Sequence, residues 1–185
     1  MRTTFVFLCT ALGAAPAVAA GAQDVQLGVA GGVAVPTGRY GETRSTGPLV
    51  RGTLLLGDPR RHVRLRADVE GAWLLDEDGR ATAGSSHDGT MRALGAFASV
   101  VVGGTGPRFA PYLVAGAGAQ RLRVAGVRNP YGTTLGVRAG GGVRWHLGRA
   151  LLYAEVAAHG ALTDFGTGRD FAAGSYVPVV VGVSF

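Results

Sequence analysis

Three observations predict an all-β fold, an eight-stranded antiparallel up-and-down β-barrel. Hydrophobicity alternates with a period of two in eight segments, and turn-forming residues separate those segments. In addition, 32 glycines are spread along the 185 residues, and each would cost a helix interior about 1 kcal/mol relative to alanine. The predicted strands are 25–35, 49–56, 63–75, 91–102, 110–124, 133–147, 151–162 and 176–185. The third shows the pattern best. Val63, Leu65, Ala67, Val69, Gly71, Trp73 and Leu75 share one face, while Arg64, Arg66, Asp68 and Glu70 share the other. Alternation alone does not say which face points outward, because in a soluble barrel the apolar face would line a cavity.

Before the first strand, residues 1–22 read as a cleaved secretory signal, leaving one barrel domain over 23–185. Arg2 supplies the positive start, and the apolar run from Phe5 to Ala15 is too short to cross a bilayer as a helix. Small residues at 17–19 and 20–22 place cleavage after Ala22, with Ala19 and Ala20 as alternatives. The only cysteine, Cys9, lies within the apolar run, so the exported domain is expected to hold no disulfide. No later segment reaches the roughly 18 apolar residues of a membrane helix. All 18 basic residues are arginine against 12 acids, a balance of +6, or +5 without Arg2. The arginines are scattered rather than gathered into a patch, which argues against nucleic acid as a partner.

Connection lengths alternate as well. Residues 57–62, 103–109 and 148–150 are tight and rich in Gly or Pro, whereas 36–48, 76–89, 125–132 and 163–175 are longer and polar. Membrane barrels have this arrangement, with short periplasmic turns and long external loops.

Signal segment, eight strands, loop alternation and the ending from Tyr176 to Phe185 together resemble the small OmpX/OmpA-like outer-membrane β-barrel family. The resemblance covers essentially the whole exported chain. It implies a transmembrane barrel in the bacterial outer membrane, with outer-membrane lipid around it. It also implies that Phe185 ends an assembly signal read by the barrel-assembly machinery during insertion, with Val179, Val181, Val183 and Phe185 facing lipid. Outward Trp73 would mark the external aromatic girdle, and Trp145 and Phe185 the periplasmic one.

Eight strands enclose an interior that side chains can just fill, so an open pore is disfavoured. Parity sends Arg51, Arg64, Arg66, Asp68, Glu70, Tyr112, Gln120, Arg138, Arg144, His146, Tyr153, Glu155 and His159 inward. Inward glycines at 116, 118, 136, 140 and 142 would give them room. The expected site is a lumen ionic plug of Arg51, Arg64, Arg66, Asp68, Glu70, Arg138, Arg144 and Glu155. If Arg149-Ala150 is a two-residue turn, Arg144 lies opposite Glu155. If 58–61 is a four-residue loop, Arg51 lies opposite Asp68, and a slip of two residues would bring it Glu70 instead. Arg121 and Arg123 break the parity of their strand and mark either a bulge or its water-exposed end.

No catalytic residue, cofactor or metal is assigned. Glu155 with His159 could form an acid/base pair, as in barrel lipid A deacylases, but no serine lies beside the histidine on its face. His146 and His159 fall about six residues apart along neighbouring strands, roughly 20 Å and too far for one ion. Asp76-Glu77-Asp78-Gly79 lacks the spacing of a calcium loop. Glycine clusters inside strands lack the strand-to-helix context of a phosphate loop. The expectation is a non-enzymatic barrel with a structural or surface-interaction role, contacting an extracellular ligand through loops that carry Tyr40, Arg80, Arg128, Phe165, Arg169 and Phe171. The alternative is an outer-membrane enzyme acting on lipid A.

Overall fold

Period-two alternation is realised as β-strand wherever it was read. The computed structural model of the chain describes residues 25–38, 44–58, 61–76, 91–104, 106, 108–124, 133–147, 150–162 and 176–185. The eight long strands are β1 (Val25–Pro36), β2 (Gly47–Leu56), β3 (Val63–Asp76), β4 (Met91–Gly103), β5 (Phe109–Val124), β6 (Thr133–Leu147), β7 (Ala150–Leu162) and β8 (Tyr176–Ser184). Each pairs antiparallel with its neighbour in sequence, and β1 also pairs with β8, closing the sheet into a barrel. The seam is held past the end of β8, where Phe185 exchanges backbone hydrogen bonds with Leu27 at 2.9 and 3.1 Å.

Pairing fixes the geometry of closure. From Gln26 the paired residues run through Leu55, Arg66, Ser99, Gly116, Arg138, His159 and Tyr176, and return to β1 at Pro36, ten positions further on. A stagger of this size tilts the strands by about 35–45° and leaves an interior that side chains fill.

One irregularity occurs at the start of β2. Arg44 and Ser45 pair with Asp76 and Leu75, but Leu49 pairs with Ala72. Three residues, Thr46, Gly47 and Pro48, therefore face two, Trp73 and Leu74, which is a β-bulge. Only glycine fits at its centre, since a β-carbon on Gly47 would run into the Trp73 carbonyl oxygen.

The register corrects one expectation and decides between two others. Leu147 pairs with Ala150, so Arg149-Ala150 is not a two-residue turn. Residues 148 and 149 lie outside the described residues. Arg144 consequently faces Tyr153, and Glu155 faces Gly142. Leu56 pairs with Leu65, so Gly57 does not face His62 across a four-residue loop. Gly57 takes a φ of 118° and the 58–61 turn closes with an Arg61 N–H to Asp58 carbonyl bond of 3.0 Å. Arg51 accordingly faces Glu70 and not Asp68. Both shifts are of two residues, which leaves every side chain on its predicted face. β4 and β5 pair without a break from Met91–Val124 to Gly103–Tyr112, so the Arg121 region is a strand end rather than a bulge.

Candidate functional site

Inside and outside of this barrel are chemically inverted relative to a soluble protein. The exposed large hydrophobics include Val29, Leu65, Val69, Leu94, Leu113, Val156 and Val181, all on the outer wall. Arg51, Arg64, Arg66, Asp68, Glu70, Arg138, Arg144 and Glu155 are all buried in the lumen. Water would not tolerate such a wall over the whole circumference, whereas a bilayer requires it. Trp145 and Phe185 lie exposed at the short-turn end, and Phe109 packs edge-on against Trp145 with ring centroids 5.4 Å apart. Trp73 occupies the opposite end of β3.

Three of the five buried arginines, Arg51, Arg66 and Arg138, converge on three carboxylates. Glu155 on β7 receives Arg51 Nη1 at 2.5 Å, Arg66 Nη1 and Nη2 at 2.6 and 2.8 Å, and the Tyr112 hydroxyl at 2.8 Å. Arg66 grips it with both ends of the guanidinium fork, the strongest geometry available to this pair. Glu70 on β3 takes Arg51 Nε at 3.0 Å and the Tyr176 hydroxyl at 2.5 Å, with His159 Nδ1 3.0 Å away but off the hydrogen-bonding line. Asp68, also on β3, accepts from Thr53 Oγ1 at 2.6 Å, from Arg66 Nε at 2.8 Å, and from Arg138. Arg51 and Arg66 each bridge two carboxylates, so the three acids form one connected network across β2, β3 and β7.

Aromatic rings fill the space between these charges. His159 lies between Phe97 and Tyr176, with centroids 4.9 Å from each. Phe97 also supports Arg138, whose Cζ is 5.4 Å from its ring, while Arg138 Nε donates to Ser99 Oγ at 2.8 Å. Arg144, expected opposite Glu155, instead stacks over Tyr112 at 4.2 Å, a cation–π contact. A void of about 20 Å³ remains beside Arg66, Tyr112, Arg144 and Tyr153, room for about one water. No passage for a solute follows from that volume.

Tyr112 reaches Glu155 only because the strand between them carries glycine. Gly142 faces Tyr112 on one side and Glu155 on the other, and the phenol ring lies across it. A β-carbon on Gly142 would sit 2.4 Å from the Ala154 carbonyl oxygen and 2.6 Å from Tyr112 Cζ and its hydroxyl. Gly142→Ala should therefore cost about 1–3 kcal/mol by overpacking. Gly31→Ala serves as control, because nothing lies within 4 Å of its added carbon. Reversible urea unfolding in lipid vesicles measures both, and equal losses would contradict the packing described.

Gln120, Tyr153 and His159 are buried as parity predicted, but His146 is exposed at the short-turn end of β6. It faces Leu151, so His159 lies eight positions further along β7, beyond the six expected. Thr53, Phe97, Ser99 and Tyr176 belong to the network and were not singled out from sequence. Inward parity combined with a polar or aromatic side chain would have found them. The loop residues Tyr40, Arg80, Arg128, Phe165, Arg169 and Phe171, the acidic run 77–79 and the predicted signal 1–22 lie outside the described residues.

An apolar wall around an ionic, side-chain-filled interior defines the small eight-stranded barrels of the bacterial outer membrane. Among solved structures, the crystal structure of Neisserial surface protein A (NspA) is similar, with a TM-score of 0.56 and 17% identity over 86% of this chain and 94% of that one. The crystal structure of the outer membrane enzyme PagL matches at a TM-score of 0.48 and 12% identity, over 88% of this chain and 99% of that one. At such identities the likeness shows the fold alone. No family model matches the chain, and no curated protein matches it in sequence.

Proposed function

We propose that this is a non-enzymatic outer-membrane barrel, closed to solutes by its ionic core, that acts as a rigid platform for the connections at its external end. The observation that carries this reading is the placement of Glu155 and His159. Both are buried in the lumen, at 2% and 1% exposure, and Glu155 is saturated by Arg51, Arg66 and Tyr112. An acid or base acting on lipid must face lipid. Among the described side chains of the outer wall there is no histidine next to a serine. Phe185, 67% exposed on the outer wall, is in this reading the residue presented to the barrel-assembly machinery.

Orientation follows from connection length, with the long connections external. A tag within 77–89 should be labelled on intact cells and one within 104–108 should not, whereas reversed labelling contradicts the orientation. Two measurements address the activity. Reconstituted in planar bilayers, the barrel should give no steady porin-like conductance, and its expression should leave the acylation of lipid A unchanged by mass spectrometry. Loss of an acyl chain from lipid A would establish the enzyme instead.

A further inference from the structure

Among the described side chains, the outer wall carries charge on its strands in one place. Among the described side chains, the charged residues that strand parity sends outward are Arg92 on β4 and Arg121 on β5. Both are exposed, and neither has an acidic partner among the described residues. Arg92 faces Trp73, and Arg121 faces Leu94, two positions along β4 from Arg92. The two arginines are thus diagonal neighbours, with backbones about 7–8 Å apart. Two like charges held side by side against a bilayer repel each other unless an anion joins them.

Directly beside them the wall is hollow. A groove of about 820 Å³ runs from Arg92 and Arg121 past Leu94 and Trp73 towards Val50 and Val69. Its floor is made by Gly52 and Gly71. A β-carbon at Gly52 would find only the Val69 carbonyl oxygen, at 4.0 Å, so the floor is open space. The Trp73 indole leans over Gly71 and forms one bank, 3.5 Å from where a β-carbon would be. A groove that is apolar along its length and doubly cationic at its external end matches an acyl chain joined to a phosphorylated head. Arginine's fork is the side chain best suited to phosphate.

We propose that this groove binds one phosphorylated glycolipid of the outer leaflet, with the phosphate between Arg92 and Arg121 and an acyl chain on the glycine floor. The proposal rests on the orientation given above, which the labelling experiment tests separately. It requires no catalysis and no change in the lipid.

The test uses the full barrel in detergent micelles, titrated with lipid A and with the same lipid A after removal of its phosphates, and read by native mass spectrometry. Wild-type protein should retain one lipid A, and dephosphorylation should weaken retention by about ten-fold or more. R92Q/R121Q should weaken lipid A to the level of the dephosphorylated form and leave the latter unaffected. Gly52→Leu, which fills the groove without a backbone clash, should weaken both forms. The comparison of the two lipid forms on wild-type protein stands even where a variant folds poorly. Equal retention of the two forms, undiminished retention by folded R92Q/R121Q, or a preference for phosphatidylglycerol over lipid A would overturn the proposal.

Discussion

Glu155→Gln will destabilise the barrel by about 3–5 kcal/mol, the range for removing one partner from a buried ion pair. The carboxylate is the meeting point of Arg51 and Arg66, and it also accepts from the Tyr112 hydroxyl. Glutamine keeps the shape but presents one acceptor oxygen and no charge, so two buried guanidinium groups lose their shared counter-ion. Arg144→Gln is the informative comparison. Arg144 is equally buried, but its described contact is the face of Tyr112, so its loss should cost about 0.5–2 kcal/mol. Reversible urea unfolding in vesicles reads both. Equal costs would mean that Glu155 is not the hub of the core.

Val69→Arg will cost about 2–4 kcal/mol, the cost of arginine on the lipid face of a barrel near mid-membrane. Val69 is 57% exposed on the outer wall, between the buried Asp68 and Glu70 on the same strand. The same substitution at Leu75, at the long-connection end of β3, should cost under about 1 kcal/mol because the head-group region tolerates the charge. In detergent-free vesicles the two costs should differ by about 2 kcal/mol or more. Indistinguishable values would remove the argument that this wall meets hydrocarbon.

The fold was legible because strand parity is a local property. Val63 to Leu75 states its two faces residue by residue, and no distant information is needed to sort them. The same feature explains why register is harder to read than face. A slip of two residues preserves every face, so placing Arg144 opposite Glu155 or opposite Tyr153 satisfies the alternation equally well. In sequence, Gly148 can either flank or lie within the turn, and alternation does not separate these cases. Bulging at Gly47 was likewise invisible, since the Trp73 carbonyl oxygen that leaves no room there for a β-carbon comes from another strand.

Membership of the ionic core could be read from sequence, but its wiring could not. Arg51 and Glu155 are 104 residues apart and meet across the lumen rather than along the sheet. Neither spacing nor parity ranks that contact above others. Parity sends Tyr112 inward but does not show that its hydroxyl, like that of Tyr176, donates to a carboxylate that the arginines alone leave partly unsatisfied. Arg92 and Arg121 show their relation only in the pairing, which sets them diagonally across neighbouring strands.

The central claim is that the lumen charges form one cooperative structural network that closes the barrel, and a double-mutant cycle on Arg66 and Glu155 tests it most directly. R66M, E155Q and the double variant are compared with wild type by reversible urea unfolding in vesicles. Removing either partner leaves the other buried with incomplete compensation, so the double variant should be less destabilised than the two single changes combined, by about 1–3 kcal/mol. Additive costs, within about 0.5 kcal/mol, would show that the two groups do not act together and would contradict the account.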